Sequence, residues 1–111
     1  MTPARSGPAL QGALEMLVLQ TLSLGPMHGY AIAQHIGRLS EDVLKVEQGS
    51  LYPALERLQR NGLVTSAWKP TPTGRYGRYY TLTRSGRKQL GDKISEYDRV
   101  ALAIAKVLDR A

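Results

Sequence analysis

Apolar residues in the first third of the chain recur at helical rather than strand spacing. In "QGALEMLVLQTLSL", Gln11 to Leu24, the positions Leu14, Leu17, Val18 and Leu22 share one side of a helix, and Gly25-Pro26 ends it. "HGYAIAQHIGRL", His28 to Leu39, predicts a second helix with Tyr30, Ile32, Ala33 and Ile36 inward and a last turn weakened by Gly37. Ser40 to Gln48 reads as a connector with small apolar spots at Val43, Leu44 and Val46. A third helix lies in "GSLYPALERLQRNGLV". Ser50 is its expected N-cap and Pro53 falls in the first turn, where a missing N–H does no harm. Leu51, Leu55 and Leu58 should face the core, and Asn61-Gly62 supplies a left-handed stop.

The period then drops from helical to two. "LVTSAWK", Leu63 to Lys69, alternates as a strand, "PTPTGRYG" reads as a loop, and "RYYTLT" returns as a second strand, giving a β-hairpin with a long basic tip. Trp68 is expected to pack in the core or the hairpin rather than to serve as a cofactor platform. Tyr79 and Tyr80 point to opposite sheet faces, so at least one should be buried. Thr83 or Ser85 can cap a last helix running from about Gly86 to Asp109. Its apolar positions Leu90, Ile94, Tyr97, Ala101, Ile104 and Leu108 alternate steps of four and three, a heptad seam with Val100 and Val107 beside it. So long a terminal helix on so small a domain should bury its stripe in a second copy. The expected division is a flexible arm over 1–10, a winged helix-turn-helix unit over 11–85, and a dimerisation helix over 86–111. The fold class is mainly α with a small β-hairpin.

Charge sharpens the picture. The net charge is +6, with 15 Lys and Arg against 9 Asp and Glu. Arg57, Arg60, Lys69, Arg75, Arg78, Arg84, Arg87 and Lys88 follow one another without an acidic residue between them. Unrelieved repulsion of that kind costs stability unless an anionic partner or salt relieves it. The third helix keeps Ser50, Tyr52, Pro53, Glu56, Arg57 and Arg60 off its core side. Three helices followed by a hairpin is the order of a winged helix-turn-helix, whose last helix enters the major groove while the hairpin follows the backbone. An exposed Arg can span a guanine edge, and Ser hydroxyls suit phosphates.

Other chemistry is thinly represented. The chain has no cysteine, so no disulfide, thiol nucleophile or zinc finger is expected, and His28 and His35 do not suggest a metal site. His28 reads as a helix-start residue. No nucleophile–base set, P-loop or paired carboxylate points to an enzyme, and no cofactor is expected. There is no apolar run long enough to cross a membrane and no apolar leader in "MTPARSGPALQG", so a cytoplasmic location is expected. A winged-helix module docking an acidic protein is the alternative to DNA binding, because fold does not fix function.

"LEMLVLQTLSLGPMHGYAIAQHI", "GSLYPALERLQRNGLV" and "RYYTLTRSGRKQL" resemble, in order and spacing, the signature blocks of PadR-like transcriptional regulators, over about Gly12 to Leu108. The length is similar to that of the compact subfamily with one C-terminal helix. The resemblance implies a homodimeric repressor on an inverted-repeat operator of double-stranded DNA. It places Ser50, Tyr52 and Pro53 at the DNA, Arg75 and Arg78 at phosphates or the minor groove, and Tyr30 in a structural or phosphate-contacting role. Arg57 and Arg60 join this set from the helix face, with Lys69 at the other shoulder of the wing. The resemblance also implies dimerisation through the last helix and a small aromatic effector near Tyr97, where relatives often carry Trp.

Overall fold

The computed structural model describes residues 8–110. Four helices and three short strands follow in the order α1 (Pro8–Leu22), β1 (Met27–His28), α2 (Gly29–Leu39), α3 (Gln48–Arg60), β2 (Val64–Pro70), β3 (Tyr76–Leu82) and α4 (Arg84–Val107). The helix begins at Pro8, so residues 8–10 belong to α1 rather than to an arm, and residues 1–7 lie outside the described residues. The leucine-rich sides of the first three helices meet in one core of Leu14, Val18, Leu19, Leu22, Ile32, Ile36, Leu51, Leu55 and Leu58, closed on the sheet side by Val64 and Tyr80. Thr21, buried among them, spends its hydroxyl on the Leu17 carbonyl at 2.8 Å.

The sheet is three-stranded and antiparallel, in the order β1-β3-β2. The third strand was not expected. Met27 and His28 follow Gly25-Pro26 in extended form and pair with Tyr80 and Tyr79. Two residues carry no periodicity, so only the neighbouring edge of β3 can specify such a strand. Pairing runs from Val64–Leu82 to Pro70–Tyr76, which shortens the expected loop to a tip over 71–75 with Gly74 at φ 93°.

His28 caps α2 by accepting the Ala31 N–H on Nδ1 at 3.2 Å, in keeping with its expected place at a helix start. Tyr30 does not face inward as expected; it is 59% exposed, because Ile32 and Ile36 already fill the side of α2 that meets the core. The start of α3 also differs. Glu47, not Ser50, holds the N-cap position, so Ser50 lies within the first turn and Pro53 inside the helix. Pro53 costs one helical hydrogen bond, and the carbonyl left over belongs to exposed Gly49, where solvent can satisfy it. The end of α3 is as expected, with Asn61 at the C-cap and Gly62 left-handed at φ 75°.

Thr83 links the sheet to α4. Its hydroxyl donates to the Gly62 carbonyl at 2.8 Å and accepts the Gly86 N–H at 2.9 Å. From there α4 runs 24 residues, about 36 Å, packing on α1 over its first half and extending beyond the body.

Candidate nucleic-acid interface

The outer side of α3 sorts into three strips at about 3.6 residues per turn. Opposite the buried Leu51, Ala54, Leu55 and Leu58 lie Gly49, Pro53, Glu56 and Arg60. Tyr52 and Gln59 flank this strip on the sheet side, and Ser50 and Arg57 on the side of α1. Arg57 donates from Nε to Glu15 Oε2 at 2.9 Å, and the other oxygen of Glu15 lies 3.9 Å from Lys93 Nζ on α4. Of the two arginines expected to face a groove, Arg57 is therefore held by α1, whereas Arg60 is 68% exposed with only Glu56 at 3.9 Å.

Tyr52 lies over Gly29. A β-carbon at Gly29 would stand 2.5 Å from Tyr52 Oη and 2.8 Å from the ring, so the bare glycine of the HGY block makes room for the tyrosine of the LYP block. Tyr52 keeps 39% of its surface exposed. The ring forms one wall of a groove of about 650 Å³ between the start of α2, α3 and the hairpin, shared with Tyr30, Glu56, Trp68 and Arg78. Trp68 corrects the expectation of a packed side chain. It is 63% exposed, because it lies opposite Arg78 in the register, two steps past the last core contact of β2 at Val64.

Arg78 lies within β3, in keeping with the strand expected from "RYYTLT". Its Nε donates to Ser66 Oγ at 2.9 Å, and Ser66 donates to Gln59 Oε1 at 2.9 Å. This chain of hydrogen bonds ties hairpin to helix and leaves the terminal nitrogens of Arg78 as its remaining donors. Neither Ser66 nor Gln59 was legible as part of the site; the only signal was their polarity beside apolar neighbours. Burial raises the Tyr80 hydroxyl above its ordinary 10.0, with Arg78 pulling it back and Tyr52 and Glu56 adding to the rise. Arg75 is exposed at the tip. Lys69 faces the other way, its ammonium 5.5 Å from the Tyr79 ring, against which the His28 ring stands edge-on. Strand alternation separates it from the α3 side of the sheet.

The heptad seam of α4 is divided. Leu90 is buried in the chain's own core and Ile94 packs against that core, which corrects the expectation that the seam is free for a partner from its first position. Beyond them Tyr97, Val100, Ile104, Val107 and Leu108 are exposed, while Ala101 is half-buried. Tyr97 also lines a shallow groove with Met16, Lys93 and Val100. Among the described residues there is no cluster of His, Cys, Asp or Glu suited to a metal, and no helix is long and apolar enough to cross a membrane.

Comparison with known proteins bears on this arrangement. A 37.1 kDa protein in a transposon of Streptomyces fradiae is 41% identical over 76 residues, which are 68% of this chain and 20% of that protein. The chain thus spans about a fifth of that relative. The structure of a transcriptional regulator from Clostridium thermocellum superposes with a TM-score of 0.83 at 26% identity, covering 90% of this chain and 97% of that one. The PadR-like transcriptional regulator from Bacillus cereus gives 0.77 at 26% identity, covering 92% and 97%. The family model described as the transcriptional regulator PadR-like family matches residues 18–92, from the buried side of α1 through α3 and the hairpin into α4. With its winged-helix architecture and that match, the chain belongs to the PadR-like family of transcriptional regulators, which are not enzymes.

Proposed function

We propose that the chain acts as a homodimeric repressor that binds an inverted-repeat operator. The observation that carries this reading is the common exposure of Arg60 on α3 and Arg75 and Arg78 on the hairpin, with Arg78 bordering both the groove walled by Tyr52 and Trp68 and a second groove lined by Glu56 and Arg60. Pro53, Tyr52 and Arg60 would meet the major groove, and Ser50 its edge. Arg75 and Arg78 would follow the backbone, and Tyr30 would reach a phosphate through its exposed hydroxyl. Arg57 and Lys69 are weaker members of this set, since both are turned to partners within the chain.

The apolar α4 surface of Tyr97, Ile104 and Leu108 supplies the dimer contact, with Ala101 between them. Half-sites lie about 34–36 Å apart, so a small change in dimer geometry would prevent both α3 helices from docking. A flat aromatic effector beside Tyr97, roofed by the second copy, would act through that shift of population.

DNA recovered with the protein from sheared genomic fragments, followed by a gel shift on the enriched site, tests the assignment. Binding that weakens for Arg60→Ala, Arg75→Ala and Arg78→Ala supports it. Equal affinity for wild type and all three variants would mean that another surface, or an acidic protein partner, is the target.

A further inference from the structure

Glu56 is out of keeping with its surroundings. Between Gln48 and Gly91 it is the sole carboxylate in the sequence, and it stands on the outermost strip of α3 with its side chain 75% exposed. It borders the groove toward the hairpin, in the company of Gln59, Arg60 and Arg78. On a surface that meets phosphates, an outward carboxylate opposes binding everywhere except where it finds a donor.

The DNA major groove offers such a donor in one form suited to a lone carboxylate, the N4 amino group of cytosine. A G·C pair presents the guanine acceptors N7 and O6 beside that amino group. Glu56 and Arg60 present the complementary order, an acceptor one helical turn before a donor. Their contact is 3.9 Å and solvent-exposed, so it is weak enough to open when a base pair arrives. Gln59 is less suited to this contact, because it flanks the outermost strip and Ser66 already occupies one lone pair of its carbonyl oxygen.

We propose that Glu56 is a specificity-determining residue that accepts a hydrogen bond from a cytosine amino group, with Arg60 donating to the guanine alongside, so that each half-site contains a G·C pair selected by this helix. The inference rests on the DNA-binding reading above.

Selection of binding sites from a random duplex library separates the two. Wild type should enrich a motif with an invariant G·C pair in each half-site. Glu56→Gln should shift that position toward A·T, since an amide pairs bidentately with adenine. Glu56→Ala should flatten the preference there by about fivefold or more. It should also bind unrelated DNA more tightly than wild type. Melting midpoints of both variants should match wild type, as the side chain is exposed. If both variants return the wild-type motif and differ only in overall affinity, the Glu56 assignment is wrong while the DNA-binding reading stands. If wild type enriches no motif, the DNA-binding reading fails and takes this inference with it.

Discussion

Replacing Gly29 with Ala should separate stability from binding. The added β-carbon would stand 2.5 Å from Tyr52 Oη and 2.8 Å from Cε1 and Cζ. Carbon contacts are comfortable at about 3.5–4.0 Å, so the end of the tyrosine must retreat by roughly an ångström. The atoms in the way are the far end of a side chain that is already 39% exposed, so the ring can move. Forcing it off its rotamer costs about 0.5–1.5 kcal/mol. Against that, Ala gains over Gly by less than the helix-interior difference of about 1 kcal/mol, because Gly29 is the first residue of α2. The net change in urea-denaturation stability should stay within about 1 kcal/mol. Binding should respond differently. A hydrogen bond between neutral groups, such as Tyr52 would make to a base edge, contributes about 0.5–1.5 kcal/mol, equivalent to roughly twofold to tenfold in affinity. A displaced Tyr52 hydroxyl should therefore weaken operator binding by roughly twofold to tenfold in an anisotropy titration at fixed salt, and Tyr52→Phe should match it. Full stability with unchanged affinity would refute the role given to Tyr52. A stability loss well above 2 kcal/mol would show that the ring cannot yield.

Thr83→Ala removes an acceptor for Gly86 N–H and a donor to Gly62 at one stroke, and should cost about 1–2 kcal/mol by urea denaturation, with Thr83→Ser recovering most of it. Burial raises the Tyr80 hydroxyl above 10.0, so its neutral form is favoured by folding. That contribution is complete below about pH 10 and is lost as pH rises through the folded value; Tyr80→Phe should flatten this alkaline limb relative to wild type. Ile104→Asp places a charge on the exposed half of the α4 seam and should yield monomer in sedimentation with an unchanged melting profile at the level of the core. Persistence of the dimer would mean that copies meet elsewhere.

Sequence pattern determined the number and order of the helices, the leucines that join them, the hairpin after Gly62 and a hydroxyl cap before α4, leaving the structure to choose Thr83 over Ser85. Each of these is written in local periodicity or in a turn residue with a specific backbone need. Tertiary structure decided the rest, because a helical wheel says that a residue is off the core but not which neighbour lies beside it. Arg57 and Arg60 look equivalent along the chain, and only the position of Glu15 on α1 sets them apart. Lys69 and Arg78 read alike as basic hairpin residues until strand register places them on opposite faces. The seam of α4 is continuous in sequence, yet α1 covers its first two positions and leaves the remainder bare. Contact between distant segments is a property of packing, and no window of neighbouring residues contains it.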